Sequence, residues 1–190
     1  IQKEAIPHIL MGRDILGCAQ TGTGKTGSFI LPLAEILSSG KSKSRMPRSL
    51  ILAPTRELAM QVAEEFNFIN KFLKLQMALL IGGVSFTEQD NKLAKGVDVL
   101  VATPGRLIDH IERGNVIIKD VKILIIDEAD RMLDMGFIPD IMKINKLLPK
   151  IRQTLFFSAT LSSEIRKIGK NLLINPKEIT ISPYSSTLQI

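Results

Sequence analysis

Asp14-Ile15-Leu16-Gly17-Cys18-Ala19-Gln20-Thr21-Gly22-Thr23-Gly24-Lys25-Thr26 reads as an apolar strand, a glycine-rich turn and the start of a helix. Strand, loop and helix in that order are what a phosphate-binding loop requires. Gly22 and Gly24 allow backbone conformations that a Cβ would hinder, so successive N–H groups can point at phosphate oxygens. The helix N-terminus adds partial positive charge at the same place. Lys25 would reach the β- and γ-phosphates of a nucleoside triphosphate, and Thr26 would give its hydroxyl to Mg²⁺. The generic pattern starts with glycine where this chain has Ala19. The alternative is a Gly/Thr-rich turn with an incidental lysine.

Outward from this loop, strand-like runs cover Asp14–Ala19, Ser49–Ala53, Met77–Ile81, Asp98–Ala102, Lys122–Asp127, Gln153–Ser158 and Glu178–Ile181. Helical periodicity occupies Gln2–Leu10, Lys25–Leu37, Arg56–Leu73, Ser85–Ala94, Gly105–Glu112, Arg131–Leu148 and Ser162–Leu172. Ile123–Ile126 and Leu155–Phe157 are unbroken apolar runs, which implies strands buried on both faces. The expected fold is a three-layer α/β domain with a mainly parallel central sheet. Ligands of such sheets lie beyond the carboxyl ends of the strands, so residues just after each strand are the candidates. Ser38–Arg45 reads as a flexible surface loop.

With 190 residues, 45% hydrophobic and 23% charged, the chain suits one globular core. It has no apolar run near the ~18 residues that span a bilayer and no secretory-signal layout, so the default expectation is cytosolic. One cysteine, Cys18, and two histidines exclude an internal disulfide and a Cys/His zinc cluster. A net charge of +6 favours an anionic partner. The chain starts at Ile1 inside a helix, as expected of a piece of something longer.

Asp127 directly follows the strand Lys122–Ile126, which puts its carboxylate at the carboxyl edge, where it can hold Mg²⁺ through water. Glu128 is then the candidate base for an attacking water. A pair of helix-capping acids is the plainer alternative.

Asp127-Glu128-Ala129-Asp130, with Ala19–Thr26, resembles the signature of the DEAD-box RNA helicases. Pro54-Thr55-Arg56-Glu57-Leu58-Ala59, Gly82-Gly83, Thr103-Pro104-Gly105-Arg106 and Ser158-Ala159-Thr160 resemble further motifs of that family's first RecA-like domain, in the family's order. The Ala19 start is the family's usual form. Asp130–Phe137 is similar to the bacterial members rather than to the eukaryotic initiation-factor type.

The resemblance implies a RecA-like P-loop NTPase domain over residues 1–182, the start of a linker at 183–190 and a second RecA-like domain outside this chain. It implies ATP and Mg²⁺ as cofactors, bound through Gln2, Ala19, Gln20, Thr21, Gly22, Thr23, Gly24, Lys25 and Thr26, with Thr26 and Asp127 on the metal. Lys25, Asp127 and Glu128 are the expected catalytic residues. Gln2 would read the adenine edge, since an amide both donates and accepts. A solvent-facing residue in a frayed first turn is the alternative.

RNA is the implied partner, with the missing second domain. Pro54, Thr55 and Arg56, Gly82 and Gly83, and Thr103, Pro104, Gly105 and Arg106 each follow a predicted strand and suit a phosphate backbone: arginines for bidentate contacts, hydroxyls, and close-approaching N–H groups. Singly, each reads more readily as a plain turn, and only the set of three tips the balance. With no tryptophan, one tyrosine and core-like phenylalanines, no stacking platform is expected, and base-specific reading is unexpected. Ser158 and Thr160 would bridge to Asp130 and link nucleotide state to RNA handling; an ST-turn before the helix from Ser162 is the alternative. The implied activity is ATP-driven RNA unwinding. An ATP-gated RNA clamp uses the same residues; a DNA-acting motor is disfavoured by the resemblance but not by charge or spacing.

Overall fold

A computed structural model describes residues 1–181. The linker expected at 183–190 lies outside them.

Seven strands form one sheet: β1 (Ile15–Cys18), β2 (Ser49–Leu52), β3 (Met77–Leu80), β4 (Val99–Ala102), β5 (Ile123–Ile126), β6 (Gln153–Ser158) and β7 (Lys177–Thr180). Their order is β3-β4-β2-β5-β6-β1-β7, and every neighbouring pair is parallel. Helix α1 (Gln2–Leu10) precedes β1, and α2 (Lys25–Leu37), α3 (Arg56–Asn70), α4 (Phe86–Ala94), α5 (Pro104–Glu112), α6 (Ala129–Asp134), α7 (Ile138–Leu147) and α8 (Ser163–Leu172) supply the crossovers. A parallel pair cannot be closed by a tight turn, so strand and helix must alternate.

The two-residue pleat divides each strand between two cores. Ile123, Ile125, Leu155 and Phe157 pack on one face with Phe29 of α2 and Phe66 of α3. Leu124, Ile126 and Phe156 pack on the other with Leu107 of α5, Ile144 of α7 and Ile165 of α8. This double burial is why both strands read as unbroken apolar runs.

Two expectations are corrected. The single helix over Arg131–Leu148 is two helices. Gly136 adopts φ +77°, its N–H meets Leu133 O and the Phe137 N–H meets Met132 O. That pair of bonds is a Schellman closure, and Pro139 starts α7 in its first turn. The Ser38–Arg45 loop is pinned, because Ser42 N–H donates to Asp98, Ser44 Oγ to Ala94 O, and Arg45 is paired with Asp90.

Among the described residues no helix is long and apolar enough to cross a membrane.

Candidate active site

At the end of β1, Ala19 is buried and donates its N–H to Ser158 O. Its backbone is not in the left-handed region, so nothing at this position demands glycine. The strain falls later, at Gly22 and Gly24, with φ of +82° and +80°. Thr23 Oγ1 donates to Gln20 O at 2.7 Å and folds the loop on itself. Gly24 caps α2, so the free N–H groups of the first turn face the loop cavity.

Gln2 sits on this loop. Its Nε2 donates to Gly24 O at 3.1 Å and lies 2.8 and 2.7 Å from where a Cβ on Gly24 or Gly27 would stand. The amide thus fills the space that two glycines vacate.

Lys25 is only 5% exposed and bridges two carboxylates, with Nζ 3.1 Å from Asp127 Oδ1 and 3.3 Å from Glu128 Oε1. Burial works against its charge, but Asp127 and then Glu128 outweigh that and push its pKa up. Burial pushes the Asp127 carboxyl up, against the opposing pull of Lys25. Glu128 is held at φ 59°, ψ 47° as the cap of α6, a left-handed backbone rarely adopted by a non-glycine residue and found where function over-determines geometry.

Thr21, Gly22, Gly24, Lys25, Thr26, Asp127 and Glu128 line one cavity of about 320 Å³ with Leu58, Gln61, Val62 and Glu65 of α3. Sequence reading missed Gln61 and Glu65. The i, i+3, i+4, i+7 spacing of these four α3 residues on a helix leaving the carboxyl edge was the available signal. Burial and the charge of Asp127 raise the Glu65 carboxyl.

Thr160 Oγ1 reaches Asp130 Oδ2 at 3.4 Å. Ser158 does not share that contact: it ends β6 fully buried, and its Oγ has no partner among the described residues. The cap of α8 comes from Ser162, whose Oγ accepts from Ile165 N–H at 3.2 Å.

Further along the same edge, Pro54, Thr55, Arg56, Gly82, Thr103, Pro104, Gly105 and Arg106 come together around a shallow groove of about 370 Å³, with Asp109, Met135 and Phe137. Gly83 lies behind it with φ +76°, and a Cβ there would run into the Arg56 guanidinium. Thr55 Oγ1 accepts from Leu58 N–H and caps α3. Arg106 departs from expectation. Its Nε donates to Gln89 Oε1, its Nη2 to Val84 O, and its guanidinium stacks 3.4 Å over the Phe86 ring, so this bidentate edge is already occupied.

Behind Arg106 lies a network that the sequence did not reveal. Buried Gln89 donates to Ile81 O, and its Oε1 also meets His110 Nε2 at 2.8 Å. Asn115 Nδ2 approaches His110 Nδ1 at 3.3 Å. An amide oxygen only accepts and an amide nitrogen only donates, so Nε2 donates to Gln89 while Nδ1 accepts from Asn115, an arrangement that fits the neutral imidazole. Burial first, and the neighbouring Arg106 charge second, lower its pKa.

The sequence model of the DEAD/DEAH box helicase family matches residues 1–168. The chain is 44% identical over 188 residues to the "ATP-dependent RNA helicase DeaD" of Escherichia coli (strain K12), covering 98% of this chain and 29% of that protein. It is 42% identical to the "ATP-dependent rRNA helicase RRP3" of Coccidioides immitis over 96% of this chain and 38% of that one. The chain therefore spans about a third of the length of these relatives. A DEAD box protein from Methanococcus jannaschii shares the fold with TM-score 0.88 and 39% identity, over 95% of this chain and 49% of that one. A hypothetical ATP-dependent RNA helicase from Sulfolobus tokodaii gives TM-score 0.86 and 37% identity, over 95% of this chain and 51% of that one. With the tetrad Asp127–Asp130 beneath its phosphate loop, the chain belongs to the DEAD/DEAH box helicase family.

Proposed function

We propose that this chain is the ATP-binding core of an ATP-dependent RNA helicase, coupling ATP binding and hydrolysis to RNA binding and duplex unwinding. One observation carries the reading: the Lys25–Asp127–Glu128 cluster under the phosphate loop and the Arg56–Arg106 groove occupy the same sheet edge.

The first-turn N–H groups of α2 and the Lys25 ammonium hold the phosphates. Lys25 leaves the carboxylates to do so. One N–H of Gln2 is engaged by Gly24 O, which leaves its second N–H and its carbonyl for the adenine edge. Among the described residues no cluster of three His, Cys, Asp or Glu could hold a metal by itself. The Thr26 hydroxyl and buried Asp127 fit instead a magnesium ion held mostly by nucleotide and water, hard oxygen donors being what it takes. When bound, magnesium neutralises phosphate charge. Glu128, freed from Lys25, accepts the proton of the attacking water.

Thr55 and Thr103 hydroxyls, Arg56 and the N–H groups at Gly82 and Gly105 grip RNA through phosphates and 2′-hydroxyls. Arg106, tied to Gln89 and Val84, shapes that groove and offers its remaining Nη1. Thr160 on Asp130 links β6 to the tetrad.

The test is ATP turnover with and without RNA, in the full-length protein and in Glu128→Gln. RNA-stimulated turnover should fall at least 10²-fold in the variant while ATP binding persists, since positioned proton transfer contributes typically 10²–10⁴-fold. Unchanged turnover would remove Glu128 from the role, and turnover stimulated equally by DNA of the same sequence would overturn RNA as the ligand.

A further inference from the structure

A second groove opens at the other end of the sheet. It encloses about 460 Å³, lined among others by Lys41, Leu73, Lys74, Lys95, Gly96 and Asp98, all on segments that lead into β2, β3 and β4. Its one acid, Asp98, is fully engaged: Oδ1 accepts from Ser42 N–H and the Arg48 guanidinium, and Oδ2 from Gln76 N–H. Lys41, Lys74 and Lys95 are exposed, and none pairs with a carboxylate among the described residues.

The chain entering this groove from α3 carries bare aromatic rings. Phe72, next to Leu73, is 92% exposed, and Phe68 is 70% exposed with Lys71 Nζ 5.1 Å from its ring centroid. Four of the eight phenylalanines, Phe29, Phe66, Phe156 and Phe157, are core as their apolar settings imply, but these two are not. Exposed rings beside unpaired cations are what single-stranded nucleic acids use, rings stacking on bases and cations tracking the backbone. A protein-docking patch would show apolar area without a surplus of one charge at its centre.

We propose that this groove is a second contact for single-stranded RNA, with Phe72 stacking on a base and Lys41, Lys74 and Lys95 meeting phosphates. It rests on RNA being the ligand of the carboxyl-edge groove, and it adds a site one strand length away. Short RNA would fill only the first groove; longer RNA would reach both.

The experiment is fluorescence anisotropy of the full-length protein with oligouridylates of increasing length at several salt concentrations, comparing Phe72→Ala and Lys41→Ala/Lys74→Ala. All these side chains are exposed, and unchanged ATP binding reports an intact fold. Short oligomers should bind all forms alike. Long ones should weaken roughly tenfold in Phe72→Ala, and the double lysine variant should flatten the log–log salt slope by about 1.4. Variants that bind every length like the unmodified protein would overturn the inference alone. Polyglutamate binding that Phe72→Ala abolishes, with RNA unaffected, would overturn it in favour of a protein partner. Absence of RNA binding at any length by the unmodified protein would overturn this inference and the proposed function together.

Discussion

Lys25 shows how one side chain ties stability to chemistry. In the ligand-free protein it neutralises buried Asp127, and deleting one partner of a buried pair costs about 3–5 kcal/mol. Lys25→Ala should therefore lose ATP binding and also unfold at lower denaturant. Because Asp127 is already pushed up, it can take a proton instead, so the stability deficit should shrink as pH is lowered. A deficit independent of pH in denaturant titrations would mean that Asp127 is not the group left uncompensated. His110 ties stability to pH through its own burial. Its lowered folded pKa means that the folded state binds fewer protons than the unfolded. Its contribution is full above the unfolded value of about 6.5 and is lost as pH falls below it. Thermal midpoints measured between pH 7.5 and 5.5 should drop more steeply for the unmodified chain than for His110→Gln. These dependences were not legible in the sequence, where Lys25 was visible as a phosphate ligand but His110 offered no pattern; burial and partners, set by tertiary packing, decide both.

At the level of elements, β1 and β6 meet in an unusually tight way. Gly17 pairs with Phe157, and the Phe157 ring occupies the space where a Gly17 Cβ would stand. Gly17→Ala should destabilise by about 1–3 kcal/mol through overpacking, read as a lowered thermal midpoint. An unchanged midpoint would show that Phe157 can move aside. The strands themselves were legible within a residue or so because β-branched runs between turn residues are a strong local signal. The seam between α6 and α7 was not, although Gly136 and Pro139 stand in the sequence, because Met132, Met135 and Met142 fit helical spacing across it. The placement of candidate residues was legible where they come just after a strand, as at Asp127, Thr55 and Thr103. It was hidden where the residue type is unremarkable, as at Gln61, Glu65 and Gln89.

For the molecule as a whole, the phosphate cavity is lined, among the described residues, by one cation, Lys25, and by no arginine. A chain limited to these residues should bind ATP yet turn it over very slowly, since phosphoryl-transfer enzymes that lack an arginine finger lose typically 10³–10⁵ in rate. Single-turnover hydrolysis by residues 1–181, beside the full-length protein, checks this; comparable rates would mean that the described residues suffice.

The sheet order has one more consequence. β1, which carries the phosphate loop, pairs only with β6 and β7, both supplied by residues after 152. During synthesis, the strand that carries the phosphate loop therefore waits for residues after 152 before either of its edges is covered. Until then the phosphate loop follows a strand with two uncovered edges. On the proposed reading, a nucleotide should protect this domain only once residues through β7 are present.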